Sequence, residues 1–410
     1  MHLRLLAALL SSLLAFGATE AQQLSAPTYS AQMGAIDARV AALHRRVAAH
    51  PNDWLIQQHL GSALLEKATL SGSVSDLSRA DEAIRQAIAT APKGSGPLLL
   101  AARFNFAVHR LKEASAFLDQ IEARSLIQQD EALAVTVLRA DIAFQQGEYA
   151  KALAGYQACE ATMPGLCSEK MMLYYAKTGR HADAQALSDA ALARIGGNDP
   201  HARAWVLLQS ATQRLDQQRY PEALARLEEA NASFPGWWLV REHMAEVLSL
   251  QDNNAAAIPI YEEVVAQTGL PQYMDALAEC YRDAGRDAEA SQLFAKADAA
   301  WREQMHLFPE SASSHALEHF MALQQDPALV VKLAEDNFSN RPGGDARVLL
   351  AKAYLSVGRS KDALAQVQAL LASPYRTVDG LEVAIKAFRA VGDTQGAASA
   401  HIEVEREKKA

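Results

Sequence analysis

The chain has 410 residues, half of them apolar and 21% charged, with a formal net charge of −9. An acidic chain with no Lys/Arg block lacks the basic stripe of a nucleic-acid binder, so no nucleic acid is expected among its partners. Beyond its first residues no apolar run approaches the ~18 residues of a membrane helix, so no stable transmembrane segment is expected.

Residues 1–21 read as an export signal. His2 and Arg4 precede an apolar run over 5–16, and Ala15, Phe16 and Gly17, or Thr19, Glu20 and Ala21, offer small residues for cleavage. The expected destination is the periplasm or the outside of the cell, and no cysteine lies near the cleavage region to carry a lipid. Residues 22–50 then supply a polar lead and a helix over 31–49. Its Ile36, Val40, Leu43 and Val47 share one face, and it reads as a cap on the helices after residue 51.

From residue 51 onward one pattern recurs. Its cleanest copy spans 274–297, with Leu277 and Ala278, then Tyr281, Gly285, Ala290, Phe294 and Ala297. At 3.6 residues per turn this is two short amphipathic helices joined at Gly285, small residues marking the close approach. The small residue that opens each second helix returns at Ala80, Ala114, Ala152, Ala184, Ala223, Ala257, Ala290, Val330, Ala363 and Ala397. Most intervals are 32 to 34 residues and three are 38 to 40. The turn glycine returns at Gly147, Gly179, Gly285, Gly358 and Gly392, replaced elsewhere by Gln218, Asp252 and Gln325. This order of residues resembles the tetratricopeptide repeat, TPR. The resemblance implies an all-α, helix-turn-helix solenoid, a right-handed superhelix of about ten units whose first helices line a concave groove. The Gly-rich loop at 195–200 reads as a hinge, dividing repeats one to four (51–195) from repeats five to ten (196–410).

Cys159 and Cys167 flank a turn over 162–165. An oxidising compartment would permit a disulfide across it, and two small packing residues are the alternative. Cys280 reads as core.

Carrying the family's groove positions onto this chain selects Phe106, Phe144 and Trp205, then Glu242, Glu246, Asp275, Glu279 and Arg282, then His315 and His319. Such a surface would suit an extended peptide with hydrophobic anchors and a basic segment. The three aromatics equally suit a core between helices, and Trp237 with Trp238 suits a plug between repeats. His315, Glu318 and His319 also fit H-x-x-E-H, which places two imidazoles on one helix face for zinc with a glutamate as base. The expected function is therefore a non-enzymatic scaffold without cofactor, holding a protein or peptide partner in the cell envelope and assisting assembly of an envelope complex. A zinc-dependent hydrolase is the alternative.

Overall fold

The computed structural model describes residues 28–197, 199–324 and 326–410. The export signal expected at 1–21 and the turn residue Gln325 lie outside these. The helix α1 (Tyr29–Ala49) stands alone and hairpins follow: α2 (Trp54–Ser71) with α3 (Val74–Thr90), α4 (Leu98–Ala107) with α5 (Leu111–Glu122), and α6 (Gln129–Gln145) with α7 (Tyr149–Thr162). Next come α8 (Ser168–Lys177) with α9 (His181–Ile195), α10 (Pro200–Asp216) with α11 (Tyr220–Ser233), and α12 (Trp238–Leu250) with α13 (Asn254–Thr268). The last are α14 (Pro271–Asp283) with α15 (Asp287–Leu307), α16 (Pro309–Ala322) with α17 (Pro327–Asn340), α18 (Gly344–Ser356) with α19 (Ser360–Leu371), and α20 (Val378–Ala390) with α21 (Thr394–Lys409). The chain is an all-α, TPR-type helix-turn-helix solenoid, 81% helical, with no strand among the described residues.

The hairpins repeat because their turns repeat. In every repeat one residue at the first turn takes a positive φ: Gly72, Gly147, Gly179, Gly285, Gly358 and Gly392, and also His109, Gln218, Asp252 and Gln324. The residue after it commonly sends its N–H back five positions, as Glu148 does to Ala143 and Arg286 to Tyr281, both at 2.8 Å. That bond closes the helix end and turns the chain. Four repeats make the same turn without glycine, each at a cost of about 1 kcal/mol. The small residues that open the second helices are all buried, from Ala80 at 0% to Ala397 at 6% exposure, so the register read from the sequence is the packing register.

First and second helices differ in how they are buried. The second helix α5 buries one stripe, Leu111, Ala114, Leu118 and Ile121. The first helix α16 buries Ala312 to Ser314 and Ala316 to Phe320, which is most of its circumference. A first helix in an open solenoid keeps one face in water. Here that face is covered because the coil closes on itself.

The closure is made edge to edge, between residues 164 to 232 apart in sequence. At the start, Trp238 Nε1 donates to the Leu70 carbonyl at 2.8 Å. The turn after α4 meets the segment before α16, where Arg110 reaches Glu310 at 3.4 Å and lies over Phe308. The turn after α6 meets the segment before α18: Tyr149 Oη accepts the Gly344 N–H at 2.8 Å. The turn after α8 meets the segment before α20, the Lys177 carbonyl accepting from Arg376 N–H at 2.8 Å. His181 reaches Glu407 in α21 at 2.7 Å. The turns of the first five repeats are thus covered by the later repeats.

The loop at 195–200, expected as a hinge, lies between α9 and α10, and packing runs across it. One core joins Leu64 and Phe104 to Leu207, Trp238 and Phe308. Another joins Phe144 and Tyr175 to Trp301, Leu350 and Phe388. Both contain residues from either side of the loop, so it separates no independently packed units. Asp199 caps α10 there, accepting from Ala202 N–H at 2.9 Å.

Candidate functional site

The ten residues expected to line a groove fall into three environments, none of them an open groove wall. Phe106 and Phe144 are buried in the core, Phe144 edge-on to Tyr149. Trp205 is half-buried, its Nε1 donating to Glu169 at 2.8 Å. Trp237 and Trp238 are both buried, as a plug would be.

The acidic residues are buried or half-buried, and Asp275 is a repeat junction. Asp275 is 2% exposed, accepting from Trp301 Nε1 in its own repeat at 2.8 Å and holding His319 Nδ1 of the next at 2.8 Å. Glu242, in the same place one repeat earlier, is fully buried against His243, whose Nδ1 also donates to the Leu239 carbonyl. Burial disfavours a charged His243, but the Glu242 carboxylate outweighs it and pushes the imidazole up to about 9. Asp141 bridges likewise, to Tyr156 Oη at 2.9 Å and Lys170 at 3.0 Å. Glu246 is buried at 3% exposure. Glu279 pairs with Arg282, and only Arg282 is exposed. The expected acidic groove is therefore corrected. Asp275 faces the next repeat and ties it to its own, whereas Glu242 and Glu279 pair within their own helices and Glu246 is buried.

The H-x-x-E-H residues do not converge. His319 is spent on Asp275, with Asp298 3.6 Å from its Nε2. His315 stacks on Trp301 at 6.2 Å, and burial, reinforced by the Arg341 charge, pulls it down to about 4. Glu318 is 8% exposed, and burial pushes its carboxyl up to about 7 although the Lys352 charge opposes the shift. Among the described residues no three His, Cys, Asp or Glu side chains stand where they could hold a metal.

The Glu318 shift has a measurable consequence. A carboxyl whose folded pKa lies above its unfolded 4.5 costs stability once ionised, so the cost is absent below about pH 4.5 and complete above about pH 7. Glu318→Gln is expected to stabilise the chain by about 2 kcal/mol at pH 8, short of the full shift because the amide must also be desolvated, and to do nothing at pH 4.5. Urea titrations of both proteins at the two pH values test it; an equal effect at both excludes ionisation as the cause.

What the sequence did not single out is the seam between the coil's turns. Lys177, 5% exposed, reaches Asp216 at 2.9 Å and Asp345 at 3.7 Å. Asp345 in turn accepts from Tyr375 Oη at 2.6 Å. Nearby, Arg341 and His109 meet at 3.2 Å, both buried. The available signal was a polar residue where a turn glycine belongs, as at His109.

No known family's pattern matches this chain, and no curated protein does. Among solved structures it is similar to a tetratricopeptide repeat protein from Parabacteroides merdae, at 12% identity over 67% of this chain and 93% of that one, with a TM-score of 0.36. It is also similar to the human IFIT1 dimer with m7Gppp-AAAA, at 11% identity over 90% and 94% of the two chains, TM-score 0.43. The human IFIT1 dimer with PPP-AAAA gives 12% identity over 94% and 96%, TM-score 0.42. Net acidity was expected to exclude nucleic acid. The IFIT1 structures carry such ligands, so that exclusion does not stand. Charge summed over a whole chain says nothing of a local basic cluster.

Proposed function

We propose that the chain is an exported, non-enzymatic scaffold that holds a protein partner in the cell envelope and assists assembly of an envelope complex. The observation that carries this reading is an asymmetry of edges. In the first five repeats the turn glycines Gly72, Gly147 and Gly179 lie against residues of the later repeats. In the last five, Gly285, Gly358 and Gly392 have nothing within 4 Å of where a side chain would begin. One long edge of the coil, with Asp287, Arg359 and Asp393 exposed along it, stays open for a macromolecule. A photo-crosslinking residue at position 287 or 393 is expected to yield a discrete protein adduct in cells, whereas one at Lys93 on the opposite edge is not. The absence of any protein adduct from the open edge would overturn the reading.

The compartment rests on the signal-like leader and on a disulfide. Cys159 is bonded to Cys167, with the Glu160 carboxylate accepting from Gly165 N–H at 2.8 Å and Cys167 N–H at 2.6 Å inside the loop they close. Such a bond persists in an oxidising compartment and is rare in a reducing one. Denaturing the protein straight from cells in maleimide is expected to label Cys280 alone. Labelling of all three cysteines would place the chain in a reducing compartment and end the export proposal.

A further inference from the structure

The seam changes character along its length. At its start it is apolar. The atoms nearest to where Gly72 would carry a Cβ belong to Leu270, at 2.8 Å, and Trp238, at 3.2 Å. The Phe104 and Phe308 rings meet edge to face, 6.4 Å apart. All four side chains belong to one core, and parting them would put apolar surface into water. Midway, Lys177 is buried between Asp216 and Asp345, a tie whose rupture would strand a buried charge.

Beyond Lys177 the contacts are of another kind. The hairpin of α20 and α21 meets the turns after α8 and α10 through hydrogen bonds. His181 Nε2 reaches the Glu407 carboxylate at 2.7 Å, and Gln217 Nε2 donates to the Glu407 carbonyl at 3.1 Å. Gln218 Nε2 donates to Glu382 Oε1 at 2.8 Å. The Glu407 carbonyl is among the last four of α21, which have no acceptor role inside their own helix, so Gln217 caps α21 from across the seam. Water can replace each of these bonds at a modest net cost. The closed arrangement is also incompletely paired. Gln213, which donates to the His181 carbonyl at 3.2 Å, keeps its Oε1 buried with no partner, and opening would hydrate it. Along its length α21 packs on α20 and leaves Ala398, His401 and Ile402 exposed.

We propose that α20 and α21 form a latch. The hairpin swings as a unit off the turns after α8 and α10, uncovers His181 and Gln217, and opens the inner face of the coil there. The apolar start of the seam stays shut, so the coil opens from one end, by a hinge, and does not unwind. The closed form is one of two states whose balance is set by a few replaceable hydrogen bonds.

Spin labels placed across the two parts of the seam separate this motion from a general loosening. Ala186→Cys with His401→Cys spans the latch, and Lys112→Cys with Glu303→Cys spans the apolar start; all four positions are exposed. Pulsed electron resonance on the full chain is expected to give the latch pair its closed distance and a longer component. Glu407→Ala removes the acceptor of His181, and Gln218→Ala removes the bond to Glu382. Each is expected to raise the ratio of long to short distances by about 2- to 10-fold, the worth of one hydrogen bond. The pair across the apolar start is expected to hold a single distance throughout. If the longer component is absent, if neither substitution changes it, or if both pairs lengthen together, the proposal is wrong. No partner is present in this measurement, so its failure would leave the reading of the open edge standing.

Discussion

Asp275→Ala is expected to destabilise the chain by about 3–5 kcal/mol, a large share of the stability of any folded domain. The alanine strands two buried groups in different repeats: Trp301 Nε1, whose residue is 1% exposed, and His319 Nδ1, whose side chain is fully buried. Each unsatisfied group costs about 1–3 kcal/mol, and the vacated volume adds to it. Asp275→Asn keeps an acceptor for the indole and is expected to recover part of the loss. The urea midpoint of both variants decides the matter. A loss below about 1 kcal/mol for alanine would mean that Asp275 is not the tie between repeats seven and eight.

That residue also marks where the sequence ceased to be legible. The fold was readable because its determinants are local. Ala290 is buried where two helices cross, and Gly285 takes φ +75° where the chain turns. Both signals lie within one repeat, and both recur. Asp275 was assigned to the groove on the family's lining positions, yet an acid on a groove wall and an acid facing the next helix differ by a rotation of the helix alone. Only its partners distinguish them, and one of those, His319, is 44 residues away.

The seam was further out of reach. Its pairs are joined across 164 to 232 residues, and nothing in the repeat pattern states how tightly a solenoid winds. The pattern did record departures from itself. His109 and Gln218 stand where glycine turns the other repeats, and both reach across the seam, to Arg341 and to Glu382. A polar side chain kept at a strained backbone position is a clue that its side chain is needed, though not to what. The same winding places Phe144 in a core that spans the seam, whereas Phe106 is buried between its own repeat and the next, among residues 98 to 142.

Gly343→Ala tests the closure itself and is expected to cost about 3 kcal/mol. Gly343 has φ −73° and ψ 180°, a conformation open to every residue, so alanine adds no local strain. The penalty comes from across the seam, where its Cβ would stand 2.7 Å from the Gln145 carbonyl oxygen and 3.2 Å from that of Phe144. Both are backbone atoms at the end of α6, and neither has a rotamer through which to yield. The turns must part, and with them the Gly344 N–H bond to Tyr149. Hydrogen exchange at Gly344 and Arg376 is expected to accelerate, and the scattering radius of the chain to grow, while helical content holds. Gly34→Ala supplies the contrast. Nothing lies within 4 Å of its Cβ, so alanine in α1 should stabilise by about 0.5–1 kcal/mol. If Gly343→Ala is as mild as Gly34→Ala, the two turns do not touch in solution, and the inner face is a groove after all.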